Sequence, residues 1–393
     1  MPIRVTGTTE TTAVAGERVE AFLPAPLPPT GPSIDLSGQL LDLLTAADRA
    51  VARLDVAGAL APRLDWLQYA FVRKEAVLSS QIEGTQASLV DLLSFEASAE
   101  EHPDADVEEV CNTVDALTWA RGQLRDPKAP PLSMRLLSSV HGRLMAGVRG
   151  ADKQPGEVRR SQNWIGGSRP SLAAHVPPPP HRLPDLLGAF ERALHNNMGL
   201  PPLVRAGLLH VQFESIHPYL DGNGRLGRLL LALYMEQEAV LREPLLYLSA
   251  FFMTHRLEYY RRLNAVRTDG DWEGWLLFFL DGVTTTADEA VASARELFAI
   301  VTRDRGALLA GGDVTVPALR LFELMPTHPV VTIATVVRLL DTSKPTAARA
   351  VDALVKTGVL VETTGRQRDR SFAYERYLDR LKVGTELGLR RSG

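Results

Sequence analysis

His217-Pro218-Tyr219-Leu220-Asp221-Gly222-Asn223-Gly224-Arg225-Leu226-Gly227-Arg228 is the stretch on which the reading of this chain turns. A helix-forming apolar run precedes it. Leu229-Leu230-Leu231-Ala232-Leu233-Tyr234 follows, apolar enough to be buried nearly all round as a helix. The motif therefore sits in a loop that feeds the N-terminus of a core helix. Gly222 and Gly224 permit positive φ and close approach of a ligand to the backbone. Successive N–H groups at such a point form an anion nest, reinforced by the helix dipole. Arg225 and Arg228 are three apart and share one face of the first turn. Their guanidinium groups suit multiply charged phosphate oxygens. Asp221 offers a hard oxygen to Mg²⁺, which keeps several waters and bridges phosphates. His217 has the residue type of a general base near neutral pH. The bland alternative is a turn followed by a helix cap. Base, metal ligand, anion nest and cations falling together in one short stretch outweigh it. A P-loop is excluded, because no Gly-x-x-x-x-Gly-Lys-Ser/Thr occurs.

Upstream of the motif, residues 150–184 do not read as helix. Gly166, Gly167 and the run Pro177 to Pro180 interrupt any helical period, Asn163-Trp164-Ile165 reads as a short strand, and Val176 before Pro177 as a second extended piece. This is a glycine-turned β-hairpin, or flap. Elsewhere the apolar spacing is helical. It predicts helices over 36–60, 63–80, from 88, 106–121, 133–145, 184–195, 203–216, 225–238, 249–267 and 272–309. Residues 22–33 read as an extended proline-rich arm. Ala310-Gly311-Gly312-Asp313 is a glycine-rich break.

The chain has 393 residues, and 45% hydrophobic with 23% charged side chains describes an ordinary globular composition. At about 150 residues per domain, that length predicts two to three domains. No apolar run approaches the ~18 residues of a membrane span, and no secretory signal is evident at the N-terminus. The single cysteine, Cys111, excludes an intrachain disulfide and a cysteine zinc cluster, which fits a reducing cytoplasm. The net charge of −4 hides a split: residues 315–393 carry 13 basic and 8 acidic side chains, a net of +5, leaving −9 for the rest. Charge asymmetry of this kind points to different partners for the two parts.

The motif resembles the signature of Fic-domain proteins, His-Pro-Phe-x-Asp/Glu-Gly-Asn-Gly-Arg-x-x-Arg, with Tyr219 in the usual Phe position. That position is expected to anchor the loop in the core. His210, Phe213, Glu214 and Ile216 resemble the family as well, as do Gln162 to Gly167 with the prolines at 177–180, and, downstream, Ser249, Tyr259-Tyr260 and Trp272–Leu280. The likeness covers roughly residues 20–300. It implies a mainly α-helical bundle with the short β-hairpin flap, and transfer of AMP from ATP to a Tyr, Thr or Ser hydroxyl of a protein, releasing diphosphate. In that picture His217 is the base and Asp221 holds Mg²⁺. Gly222, Asn223, Gly224, Arg225, Leu226, Gly227 and Arg228 form the nucleotide site, joined by Tyr259 or Tyr260 unless those tyrosines serve only in helix packing. The flap at 160–180 registers the target protein by strand-like pairing.

Ser79-Ser80-Gln81-Ile82-Glu83-Gly84 is similar to the family's inhibitory pattern, Ser/Thr-x-x-x-Glu-Gly/Asn. The resemblance implies that Glu83 pairs with Arg228 where the γ-phosphate would bind. A carboxylate competing with phosphate for one guanidinium is a workable switch. Alone, the pattern also describes a helix end with Gly84 as C-cap.

Residues 315–375 read as a winged helix-turn-helix. The expected elements are a helix from Leu319 to Leu324, a second from Ile333 to Leu340, a turn at Asp341-Thr342-Ser343, and a third helix from Lys344 to Lys356 ended by Gly358. Thr346, Arg349 and Ala350 are expected outward, with Ala347, Val351, Leu354 and Val355 facing the core. Strands over 359–362 and 371–374 flank a basic wing. Lys344, Arg349, Arg366, Arg368 and Arg370 are the candidate DNA contacts. The alternative is a module used for dimerisation or packing.

The division along the chain is then a helical extension over 1–125, a Fic core over 126–310 and a winged helix over 311–393. Two competing functions stand beside adenylyl transfer: removal of AMP, in which the inhibitory glutamate positions water, and a DNA-binding regulator whose Fic domain only senses nucleotide. A homodimer is a further candidate arrangement.

Overall fold

The computed structural model describes residues 4–98, 103–311, 314–365 and 369–386. Two compact units emerge, and each takes two segments of the chain: Met1–Val56 with Asn112–Asp288, and Ala57–Cys111 with Glu289–Gly393.

The first unit opens with an antiparallel hairpin, β1 (Gly7–Val14) and β2 (Glu17–Pro24), in register Val14↔Glu17 to Gly7↔Pro24. Ala15 and Gly16 both have positive φ, as a two-residue turn matched to strand twist demands. The proline-rich reading caught only the end of this segment; the Thr-rich alternation before Ala15-Gly16 is the missed signal. α1 (Gly38–Ala59) follows and runs across the boundary between the units. α4 (Ala105–Arg125) enters the first unit at Asn112 and leads to α5 (Met134–Leu144) and α6 (Leu183–His195). The centre is α7 (Pro202–Ile216) against α8 (Asn223–Gln237); every α7 residue from Leu203 onward is buried. Pro201 and Pro202 start α7 where proline's missing N–H is harmless. Residues 249–267, expected as one helix, are two, α9 (Ser249–Thr254) and α10 (Arg256–Asp269), broken at His255. α11 (Trp272–Ala310) begins in this unit, where Trp275 is fully buried and donates its indole N–H to the Gly207 carbonyl at 2.9 Å.

The second unit contains α2 (Leu64–Ile82) and α3 (Leu89–Ala97), the latter started by a capping box between Ser88 and Asp91. It also contains the distal part of α11, α12 (Val316–Leu324), β3 (Val330–Thr332), α13 (Ile333–Leu340), α14 (Lys344–Lys356), β4 (Val361–Glu362), β5 (Ser371–Ala373) and α15 (Glu375–Leu381). The strands form one antiparallel sheet in the order β3-β5-β4. α2 and α3 are clad by the C-terminal elements. Trp66 lies against Phe298, the Tyr69 ring stacks on His328, and Thr335 donates to the Ala97 carbonyl at 2.6 Å. Lys74 donates to the Val383 carbonyl, and Gln81 to that of Thr385.

α13 and α14 fall on their expected bounds, while β3 and α15 were not anticipated. Ala350, expected outward, is fully buried, and Val355, expected inward, is exposed. The actual inward face of α14 is Ala347, Ala350, Val351 and Leu354, the 3–4–7 spacing of a single helical stripe. No helix among the described residues is long and apolar enough to cross a membrane.

Candidate active site

His217 ends α7 in the left-handed conformation, φ 49° and ψ 64°, with its N–H on the Phe213 carbonyl. Gly222, at φ 74°, starts α8. Between them the chain turns back on itself, and the Asn223 side chain closes the turn. Its Oδ1 accepts the Tyr219 N–H at 2.9 Å and its Nδ2 donates to the Tyr219 carbonyl at 2.8 Å. That side chain is thus committed to the loop, and Asn223 faces an anion through its main-chain N–H, one of the donors that the start of an α-helix leaves over. The first intrahelical bond of α8 runs from Leu226 N–H to the Gly222 carbonyl, which leaves the Asn223, Gly224 and Arg225 amides at the helix mouth.

Tyr219 is wholly buried, as expected of an anchor. Its extra hydroxyl, relative to Phe, meets Ser138 Oγ at 2.9 Å. His141, also buried, lies beside it and holds the loop from α5. Gly156 N–H donates to His141 Nδ1 at 2.8 Å, so the ring proton is on Nε2, which donates to the Asp221 carbonyl at 2.9 Å. Burial lowers this imidazole to about 4, so the neutral tautomer persists.

The Asp221 carboxylate is exposed, and its Oδ1 accepts the Gly222 N–H at 2.7 Å. Among the described residues no group of three or more His, Cys, Asp or Glu converges on a metal position. A single open carboxylate fits Mg²⁺ that draws its remaining ligands from phosphate and water, and does not fit a zinc site. Arg225 and Arg228 are both buried, at 3% exposure. Arg225 Nη2 lies 3.2 Å from Met145 Sδ.

His217 is half-buried. Loss of water around the ring, then the positive charges of Arg159 and Arg267, push it down to about 3. It is therefore an unprotonated base at neutral pH. Arg159 and Arg267 were not singled out by sequence reading, nor was His141. Their only local signals were an Arg159-Arg160 pair and a His141-Gly142 step, neither of which shows burial.

Other expected site residues have different neighbours. Leu226 is buried, and a Cβ on Gly227 would collide with Glu214 Oε1 on α7, so these two positions serve helix–helix packing. Tyr259 is buried with its hydroxyl 2.8 Å from His210 Nε2. His210 Nδ1 must donate to the Gly227 carbonyl at 3.0 Å, so Nε2 accepts from the phenol. Tyr259 is thus a packing residue, and Tyr260 is the exposed member of the pair, beneath Arg256.

The flap is tighter than a regular hairpin. One antiparallel bridge joins Ile165 and His175, and a 3₁₀ turn, Pro170–Leu172, lies within it. Leu172 is exposed at the tip. From behind, β2 supports it: Phe22 N–H donates to the Val176 carbonyl, and Val14, Val19, Ala21 and Val176 form a small core with Trp164 and Ala173 against it.

In the second unit, Ser79 is buried on α2, while Glu83 is the exposed C-cap and Gly84 follows at φ 102°. Lys344, Arg349 and Arg370 are exposed; Arg366 and Arg368 lie outside the described residues.

Residues 131–235 match the family described as Fic/DOC family, and residues 41–121 match Fic/DOC family N-terminal. Over those residues the chain carries a Fic/DOC domain and its N-terminal companion. It is 30% identical over 168 residues to a protein of Aedes aegypti named protein adenylyltransferase Fic, a stretch of 42% of this chain and 30% of that protein. The chain thus spans about a third or less of the length of the curated relatives it matches. Among solved structures, a Fic family protein from Desulfovibrio desulfuricans G20 superposes with a TM-score of 0.55 at 20% identity, covering 87% of this chain and 98% of that one. A Fic domain containing signaling protein from Bacteroides thetaiotaomicron VPI-5482 gives 0.52 at 18% identity, covering 64% and 98%. At such identities the likeness is one of fold.

Proposed function

We propose that this chain transfers AMP from ATP to a Tyr, Thr or Ser hydroxyl of a protein, itself included. The observation that carries this is the single loop in which the neutral His217, the exposed Asp221 carboxylate and the N-terminal amides of α8 occur together, with two arginines on the first two turns of that helix. The His217 imidazole accepts the proton of the target hydroxyl, and the oxygen attacks the α-phosphorus. The bond from that phosphorus to the bridging oxygen breaks, and diphosphate leaves. The Asn223, Gly224 and Arg225 amides bind the phosphates nearest the helix, and Arg225 with Arg228 the charge that remains. Asp221 would hold Mg²⁺, which when bound neutralises phosphate charge. The exposed Leu172 tip and the Ile165–His175 bridge support docking of an extended target segment at the flap.

We read Ser79, Glu83 and Gly84 as an inhibitory motif, with Glu83 competing for Arg228. The exposed carboxylate at the end of α2 supports this. The C-terminal elements, with α14 following a turn at Asp341 and a β4–β5 pair behind it, support a winged helix-turn-helix with DNA as its candidate partner.

The test separates transfer from nucleotide sensing and from AMP removal. The protein is incubated with α-labelled and with γ-labelled ATP. Label retained from the α position alone supports AMP transfer; retention from neither, in wild type and in Glu83→Gly alike, overturns it.

A further inference from the structure

Arg159 is 1% exposed, and a guanidinium so buried is costly unless its N–H groups are met. Here they are met by backbone carbonyls. Nε donates to His217 at 2.9 Å, Nη1 to Ser161 at 3.2 Å and Nη2 to Pro178 at 2.6 Å. The Arg159 main-chain N–H donates to the Pro218 carbonyl at 2.9 Å. Ser161 and Pro178 are the two roots of the flap, on either side of the Ile165–His175 bridge. One side chain therefore joins both roots to the backbone of the base. His217 needs such a hold, because its left-handed φ of 49° is a sparsely populated conformation for a residue with a Cβ. The three carbonyls are met by three different nitrogens of one planar fork, whereas an ammonium offers all of its N–H groups from a single atom.

We propose that Arg159 is a positioning residue that makes the placement of His217 depend on the flap, so that a target strand drawing the flap roots into register also sets the base. The proposal rests on the reading of His217 as the base and of residues 160–180 as the docking edge. It assigns Arg159 to the acceptor half of the reaction, because its hydrogen bonds reach neither Arg225, Arg228 nor the α8 amides.

The test uses the full chain and two substitutions, Arg159→Lys and Arg159→Met. Hydrogen exchange is followed at Ile165, Ala174 and His175 in the flap, at His217 and Tyr219 in the motif, and at Leu229 to Leu233 in α8. Exchange is expected to rise about tenfold or more at flap and motif together while α8 stays as it was. In the Glu83→Gly background, the turnover number for AMP transfer is expected to fall about tenfold or more with the KM for ATP held within about twofold. Loosening of the flap with His217 and Tyr219 unmoved overturns the proposal. So does loosening that spreads through α8 in both variants, or loss of ATP affinity in step with transfer. If the Glu83→Gly parent transfers no AMP, the adenylyltransferase reading falls, and the exchange pattern still decides the role of Arg159.

Discussion

The His141 imidazole lies flat on the Tyr219 ring, with centroids 3.9 Å apart and 12° between the planes. This stack joins α5 to the motif loop at its turning point. The same imidazole bonds Gly156 on one nitrogen and Asp221 on the other, so its rotation is blocked as well as its translation. Tyr219→Phe keeps the stack and loses only the bond to Ser138, and is expected to cost about 1 kcal/mol. His141→Phe leaves the Gly156 N–H and the Asp221 carbonyl unmet, and is expected to cost more, about 2 kcal/mol or above. Urea denaturation of the two variants checks the order, and the reverse order contradicts it.

His217→Ala removes the base without touching the amides of α8. Incorporation of label from α-labelled ATP is expected to fall by about 10²-fold or more, while ATP affinity, measured by calorimetry, stays near that of the parent. A labelled product at the parent's rate would show that another group takes the proton.

Glu83→Gly is expected to raise AMP incorporation about tenfold or more, within the range of ordinary coupling between sites. The gain should vanish when Arg228 is also replaced, because the arginine competed for is then gone. Equal labelling by wild type and Glu83→Gly removes the inhibitory assignment.

Burial is the first cause of the lowered pKa of His141, His210 and His217, which fall from 6.5 to about 4, 3 and 3. Each is neutral in the folded chain and takes up a proton on unfolding below about pH 6.5. Their contribution to stability is therefore full above 6.5 and is lost as pH falls towards those lowered values. Denaturation midpoints are expected to be level near neutrality and to drop steadily below about pH 6.5. Activity at about pH 5.5 should persist as long as the fold does, because the base is still unprotonated there. An activity loss with an apparent pKa near 6.5 in fully folded protein would contradict the assignment of His217.

Lys344 and Arg349 are exposed on α14. Replacing both by Glu is expected to abolish salt-dependent retention on DNA, with AMP transfer unchanged in the Glu83→Gly background. Absence of any retention by the parent at low salt assigns these elements to packing instead.

The parts legible in the sequence were those written within a few residues. The loop between two apolar helices, the glycine at the start of α8 and the bounds of α13 and α14 follow from local spacing and turn chemistry. What stayed hidden was tertiary. Arg159 reads as one of a pair of basic residues until its guanidinium is found against the carbonyl of His217, 58 positions later. Tyr259 and Asn223 have the right chemistry for a nucleotide, yet His210 and the Tyr219 backbone take up their side chains. Ala350 carries little pattern information because its side chain is short, and the stripe it completes is defined by its larger neighbours. The β1–β2 hairpin is faint in the sequence because Thr-rich alternation is a weak signal without the Ala15-Gly16 turn.

Because the second unit draws on Ala57–Cys111 as well as on Glu289–Gly393, the chain cannot be trimmed at the glycine break without injury. A protein cut near residue 310 would strip α2 and α3 of His328, Thr335 and the tail that meets Lys74 and Gln81, baring Tyr69 and the helix that ends at Glu83. Any change in labelling after such a cut would measure a helix deprived of its cladding. The folded unit here is discontinuous: the last eighty or so residues cover a helix near residue 80, however far apart the two lie along the gene.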